Sequence, residues 1–143
     1  MRTLTFFGWL LSWALLVGIA GPLVGTCTQG DDGPWVGGLI AFAPVGLLGL
    51  ALAGIASPRG RRYRWLAAPH VVTALLGVYL IPTYFLQTTV HGRHVCELRD
   101  GNSFDPAASF AQQLWAPAWL AILLVLAYVV FRYWRKPCPG QHG

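Results

Sequence analysis

SPRGRRYRWLAAPHVVTALLGVYLIPTYFLQ, residues 57–87, is the stretch whose reading decides the fold. Arg59, Arg61, Arg62 and Arg64 crowd its start, and from Trp65 to Gln87 no Asp, Glu, Lys or Arg follows. A helix rises about 1.5 Å per residue, so an uncharged run of roughly 20 residues matches the hydrocarbon thickness of a bilayer. The arginines stand where an anionic headgroup layer would meet them.

The same pattern recurs at 4–24, 35–56 and 114–134. The first two carry no charge, and the last meets its first charge at Arg132. With 55% hydrophobic and only 10% charged residues in 143, the chain lies outside the usual soluble range of about a quarter charged. The expected architecture is all-α: a polytopic integral membrane protein, a four-transmembrane-helix bundle forming one domain over 1–143. Loops 26–34 and 88–113 would be external, and loop 57–64 and the tail 135–143 cytoplasmic. No motif repeats between the halves, so an inverted repeat within one chain is not expected.

Charge sign orients the bundle. All five acids (Asp31, Asp32, Glu97, Asp100 and Asp105) fall in the two external loops, which hold only Arg93 and Arg99 as basic residues. Arg2, the arginine cluster at 59–64, and Arg132, Arg135 and Lys136 fall on the opposite side. Cytoplasmic segments hold the excess of Lys and Arg, so both termini are expected in the cytoplasm of a bacterial inner membrane. The net charge of +5 suggests lipid headgroups and not nucleic acid, because the positive residues adjoin apolar runs. The arginine cluster is read as a topology determinant. Trp35, Trp115 and Trp119 are expected at the outer interface, and Trp9, Tyr63, Trp65, Tyr133 and Trp134 at the inner one.

Several residues are candidates for more specific roles. Cys27 and Cys96 lie one in each external loop, where an oxidising compartment would preserve a disulfide; Cys138 has no partner on its side. His70 sits inside the third run, and an ionisable residue at depth is a functional candidate for ligand or quinone contact. Haem is not expected, since no other run contains His and Met1 is the sole Met. His91 and His94, with Cys96, form a weak candidate metal site; a hydrated loop is the plainer reading, and no metal or cofactor is expected. Gly37, Ala41, Gly49 and Ala53 stand at multiples of four and read as a helix-packing ridge. Asp105 before Pro106 reads as the start of the fourth helix.

No run contains an acid, and no nucleophile–base pair or phosphate-cradling loop is apparent. The expected function is therefore that of a small non-enzymatic membrane protein acting through protein–protein contacts. It would be an accessory or assembly subunit or an immunity-type protein, with other integral membrane proteins or further copies of itself as partners. The alternatives are a thiol- or quinone-linked redox protein using Cys27, Cys96 and His70, and a homo-oligomeric channel or transporter.

Overall fold

The computed structural model describes residues 2–24, 35, 37–56, 65–95, 97 and 108–135. Among them all regular structure is helical. The elements are α1 (Arg2–Ser12), α2 (Ala14–Ile19), α3 (Gly21–Val24), α4 (Gly38–Phe42), α5 (Ala43–Ala56), α6 (Pro69–Tyr84), α7 (Phe85–Val90) and α8 (Phe110–Arg135). Both α4 and α7 are π-turns. Two stretches, Trp65–Val90 and Phe110–Arg132, are long and apolar enough to cross a membrane. The other apolar helices, Thr3–Ile19 and Gly38–Gly54, are shorter. The expected external loop 88–113 is trimmed at both ends, because α7 runs to Val90 and α8 starts at Phe110.

The interruptions trace to particular residues. The first stretch bends at Trp13, where i→i+3 bonds replace the α ladder (Trp13 N–H to Leu10 O, 3.2 Å; Leu16 N–H to Trp13 O, 3.0 Å). The Trp13 indole is pulled across to donate to Leu66 O at 2.9 Å. A second break at Ala20 precedes Pro22, which has no N–H to give the preceding turn. In the second stretch Pro44 follows the π-turn α4, whose wider spacing accommodates a ring that would crowd the carbonyl four residues back. Pro82 likewise sits just before α7.

Neighbouring stretches run antiparallel. A Cβ on Gly8 would stand 2.6 Å from Ala53 N, and one on Gly49 2.5 Å from Ser12 N. One on Gly18 would meet Gly38 O at 2.8 Å. So α1 and α2 pack down the length of α5 and α4 with their backbones in near contact. On the other side a Cβ on Gly77 of α6 would strike Leu123 of α8. The buried core joins Trp9, Leu15, Ile19, Leu50, Leu66, Leu80, Trp115 and Trp119.

Of the expected ridge, Gly49 and Ala53 lie against α1, whereas Gly37 faces open space and Ala41 is exposed. The π-turn between them is the reason. It adds a residue to the turn, so the contact face continues through Gly46, Ala43 and Gly38 and not along multiples of four. The tryptophans also differ from expectation. Trp9, Trp35, Trp115 and Trp119 are buried in the core instead of ringing an interface, while Trp65 is exposed. Trp35, Tyr84 and Trp115 meet edge-to-face at centroid separations of 4.7, 5.1 and 5.6 Å. Edge-to-face pairs contribute about 0.5–1.5 kcal/mol each beyond buried area, which favours the interior for these rings.

The glycine contacts make an asymmetric prediction. Gly49→Ala forces α1 and α5 apart and should destabilise by about 1–3 kcal/mol. Gly54→Ala, which meets open space, should be neutral or slightly stabilising. Thermal unfolding of the two variants in the same detergent distinguishes them, and equal effects would refute the close approach.

Candidate functional site

Several polar side chains share the interior with the apolar core. Thr5, Ser12, His70, Thr73, Thr88, His94 and Gln112 are buried, whereas large apolar side chains cover the outside. Val78 and Phe110 are each 75% exposed, and Leu75, Leu124 and Ile40 are exposed too. Only 39% and 28% of the two longest apolar windows are buried, far less than a core helix of a soluble protein would show. Each described stretch exposes large apolar side chains, and surface of this kind marks contact with other apolar matter, protein or lipid.

The buried polar groups form two sites near opposite ends of the helices. The first joins α7 and the segment after it to the start of α8. Ser109 Oγ accepts from Gln112 N–H at 3.3 Å, the bond of an N-cap to its third residue. Asp105 and Pro106 lie outside the described residues, and the continuous helix starts after Ser109. Gln112 Oε1 accepts from Val95 N–H at 3.2 Å, and its Nε2 is 3.1 Å from His94 Nε2. With the amide oxygen facing Val95, the amide NH₂ donates to His94. Gly92 adopts a left-handed φ of 65°, and its carbonyl accepts from Ala108 N–H at 2.7 Å.

Two threonines complete this end. Thr88 Oγ1 donates to Tyr84 O at 2.6 Å and lies 3.3 Å from Gln112 O. Thr89 Oγ1 donates to Gln113 O at 2.7 Å. Gln113 is four residues before Pro117, so its carbonyl is the one that the proline leaves without a helical donor. The hydroxyl of a neighbouring helix fills that place.

The second site lies where α1 meets α6. Ser12 Oγ donates to Trp9 O at 2.6 Å and is 2.8 Å from His70 Nε2. Since the hydroxyl proton is committed to Trp9, Nε2–H of His70 is the donor to Ser12, which leaves Nδ1 as an acceptor. Nδ1 is buried and has no hydrogen-bond partner among the described residues. The Trp9 ring lies 5.8 Å from the imidazole, tilted by 47°. Beside His70 a groove of about 620 Å³ opens between α6 and α8. A serine bonded to a histidine can suggest acyl transfer, but here Ser12 is fully buried and its proton points to a carbonyl. Its chemistry is to hold one tautomer of His70.

The other expected site residues are more dispersed. His91 is exposed and His94 is buried against Gln112. Among the described residues no three His, Cys, Asp or Glu side chains gather as metal ligands. Cys27, Cys96, Arg59, Arg61, Arg62 and Arg64 lie outside the described residues. Ser12, Thr89, Ser109 and Gln112 were not singled out in the sequence. Of these only Ser109-x-x-Gln112, a helix-start pattern, could have been found there.

The fold and these sites define a class: an all-helical protein with two helices capable of crossing a membrane and polar groups turned inward. No protein-family model matches the chain, and no curated protein or solved structure does either.

Thr89→Val should cost about 1 kcal/mol, because it removes the donor to a half-buried carbonyl. In a Pro117→Ala background, where an N–H again reaches Gln113 O, most of that cost should vanish. A double-mutant cycle read by unfolding in detergent measures the coupling, and strict additivity would contradict the assignment.

Proposed function

We propose that this chain is a four-span protein of a bacterial cytoplasmic membrane, with both termini on the cytoplasmic side. It acts by contact with other integral membrane proteins and not by catalysis, as an accessory or assembly subunit or an immunity-type protein. The observation that carries the reading is the apolar exterior of every described stretch, the two shorter ones included: Leu4, Phe7, Leu10 and Val17 on α1 and α2, and Ile40, Val45 and Leu48 on α4 and α5 are all exposed. A helix from Thr3 to Ile19 or from Gly38 to Gly54 is a few residues short of a straight span. A local thinning of the bilayer accommodates that mismatch at modest cost. The sorting of acids and arginines to opposite ends supports the orientation.

The outward side of the second stretch, 37–56, supports a partner helix. Gly37 and Gly54 meet open space and Ala41 is exposed, so a neighbouring backbone can approach closely there. At the external end, the segment 91–95 is held to α8 by the Gln112 bonds and offers an ordered surface. Of the alternative readings, the redox protein gains one observation, the open Nδ1 of His70, while Cys27 and Cys96 lie outside the described residues. The channel or transporter gains none.

Two experiments test this reading. In a variant lacking native cysteines, a cysteine at His91 should react with an impermeant maleimide from outside intact cells. One at Ser57 should react only after permeabilisation, and labelling of both from one side would overturn the topology. In mild detergent, Ala41→Leu and Gly54→Leu should each lose a co-purifying membrane protein while keeping normal helicity. Full retention by both variants would count against that surface, and substrate turnover by the isolated chain would count against a non-catalytic role.

A further inference from the structure

We infer that the outward face of α6 pairs with the same face of a second copy of this chain, the two Tyr79 hydroxyls hydrogen-bonding to each other across a two-fold axis. The observation that leads there is a phenol placed where lipid cannot serve it. Tyr79 is 72% exposed, and its hydroxyl has no hydrogen-bond partner among the described residues. It stands near the middle of the spanning-length stretch Trp65–Val90. At about 1.5 Å per residue, the two ends lie roughly 21 and 17 Å away along the helix, beyond the reach of its side chain. Tyr128 contrasts with it: near the end of α8, its hydroxyl accepts from Arg132 Nη1 at 3.2 Å. Thr83, one turn beyond Tyr79 and also exposed, gives its own proton to Tyr79 O at 3.3 Å. Acyl chains carry no hydrogen-bonding group, so at this depth the partner of the phenol comes from protein.

The chemistry of the phenol and its setting select a second copy. A phenolic hydroxyl both donates and accepts, so one Tyr79 can satisfy another with no further group. Copies of one chain share one orientation in a membrane. A two-fold axis along the bilayer normal therefore sets their α6 helices parallel and brings both hydroxyls to one depth. The surrounding residues have the spacing that such a pair needs. Val72, Leu75, Tyr79 and Pro82 follow one another at steps of three, four and three, and all are exposed. That alternation is the seam of parallel paired helices, and a single polar residue within it fixes register and partner number. The other side of α6, with His70, Thr73, Gly77 and Leu80, is buried against the chain's own helices, so the seam is the face left over for a neighbour.

The inference rests on the membrane-spanning reading of residues 65–90 and is separate from the surface at Gly37 and Gly54. The test uses the full-length chain without native cysteines, purified and reconstituted into liposomes. Single substitutions Val72→Cys and Leu75→Cys should give disulfide-linked dimers on mild oxidation. Val78→Cys should give few, although Val78 is 75% exposed, because it lies about a quarter-turn off the seam. Energy transfer between donor- and acceptor-labelled copies, followed as lipid dilutes the protein, gives the dimer affinity. Tyr79→Phe, which removes one exposed oxygen and leaves the fold intact, should weaken it roughly three- to tenfold, the range of a hydrogen bond between membrane helices. An impermeant maleimide keeps the two readings apart. Labelling of Leu75→Cys in intact liposomes would show that the stretch lies outside the bilayer, and both would fall. Protection from labelling without cross-linking, or equal cross-linking at 72, 75 and 78, would overturn the pairing alone. So would a dimer affinity that Tyr79→Phe leaves unchanged, or cross-linking of Leu75→Cys in native membranes to a different protein only.

Discussion

One constraint accounts for much of the described structure: within the apolar helices most buried polar groups find their partners inside the protein. The side-chain hydroxyls show it most directly. Thr73 returns its proton to Pro69 O at 3.2 Å, Thr83 to Tyr79 O at 3.3 Å, and Thr88 to Tyr84 O at 2.6 Å. Each is an i→i−4 bond that satisfies the hydroxyl within its own helix. Where a proline removes a donor, the gap is met locally or from a neighbour. Trp65 O, which loses the N–H of Pro69, takes one from Ala68 at 3.1 Å. Gln113 O, which loses that of Pro117, takes a hydroxyl from Thr89.

The same constraint explains how the helices hold together. In the proposed lipid setting, burying leucine against leucine gains little. Association rests instead on close backbone approach and on hydrogen bonds between helices. The line from Gly8 to Ala53 and from Gly18 to Gly38 supplies the first. Trp13 to Leu66, His70 to Ser12, and Thr89 to α8 supply the second. These polar links tie the stretch of 65–90 to both flanking partners.

Much of the helical pattern was legible in the residues. Long uncharged runs separated by charged turns predict helices, and the third and fourth runs are helices of spanning length. What escaped were features made by contact in three dimensions. Gly37 and Ala41 fit a four-residue period with Gly49 and Ala53, but the π-turn at Gly38–Phe42 rotates them off the packing face. Nothing in the sequence marks that turn beyond Pro44. The tryptophans near run ends fit an interfacial girdle by position alone, yet Trp115 and Trp119 are 1% and 0% exposed because their rings fill the space between helices. His70 stood out because it is ionisable. Ser12 did not, since a lone serine in an apolar run has no visible partner until α1 is laid against α6.

The central claim is that the apolar faces of all four helical stretches meet lipid and not water or another soluble chain. Collision accessibility of nitroxide labels in liposomes tests it most directly, with labels at Phe7, Ile40, Val78 and Leu124 on the outside and at Thr73 in the interior. Relaxation by oxygen, which concentrates in hydrocarbon, should be strong at the four outer positions and weak at Thr73, with a polar nickel chelate reaching none of them. Strong relaxation by the chelate at Phe7 or Ile40 would place the shorter helices in water and contradict the account.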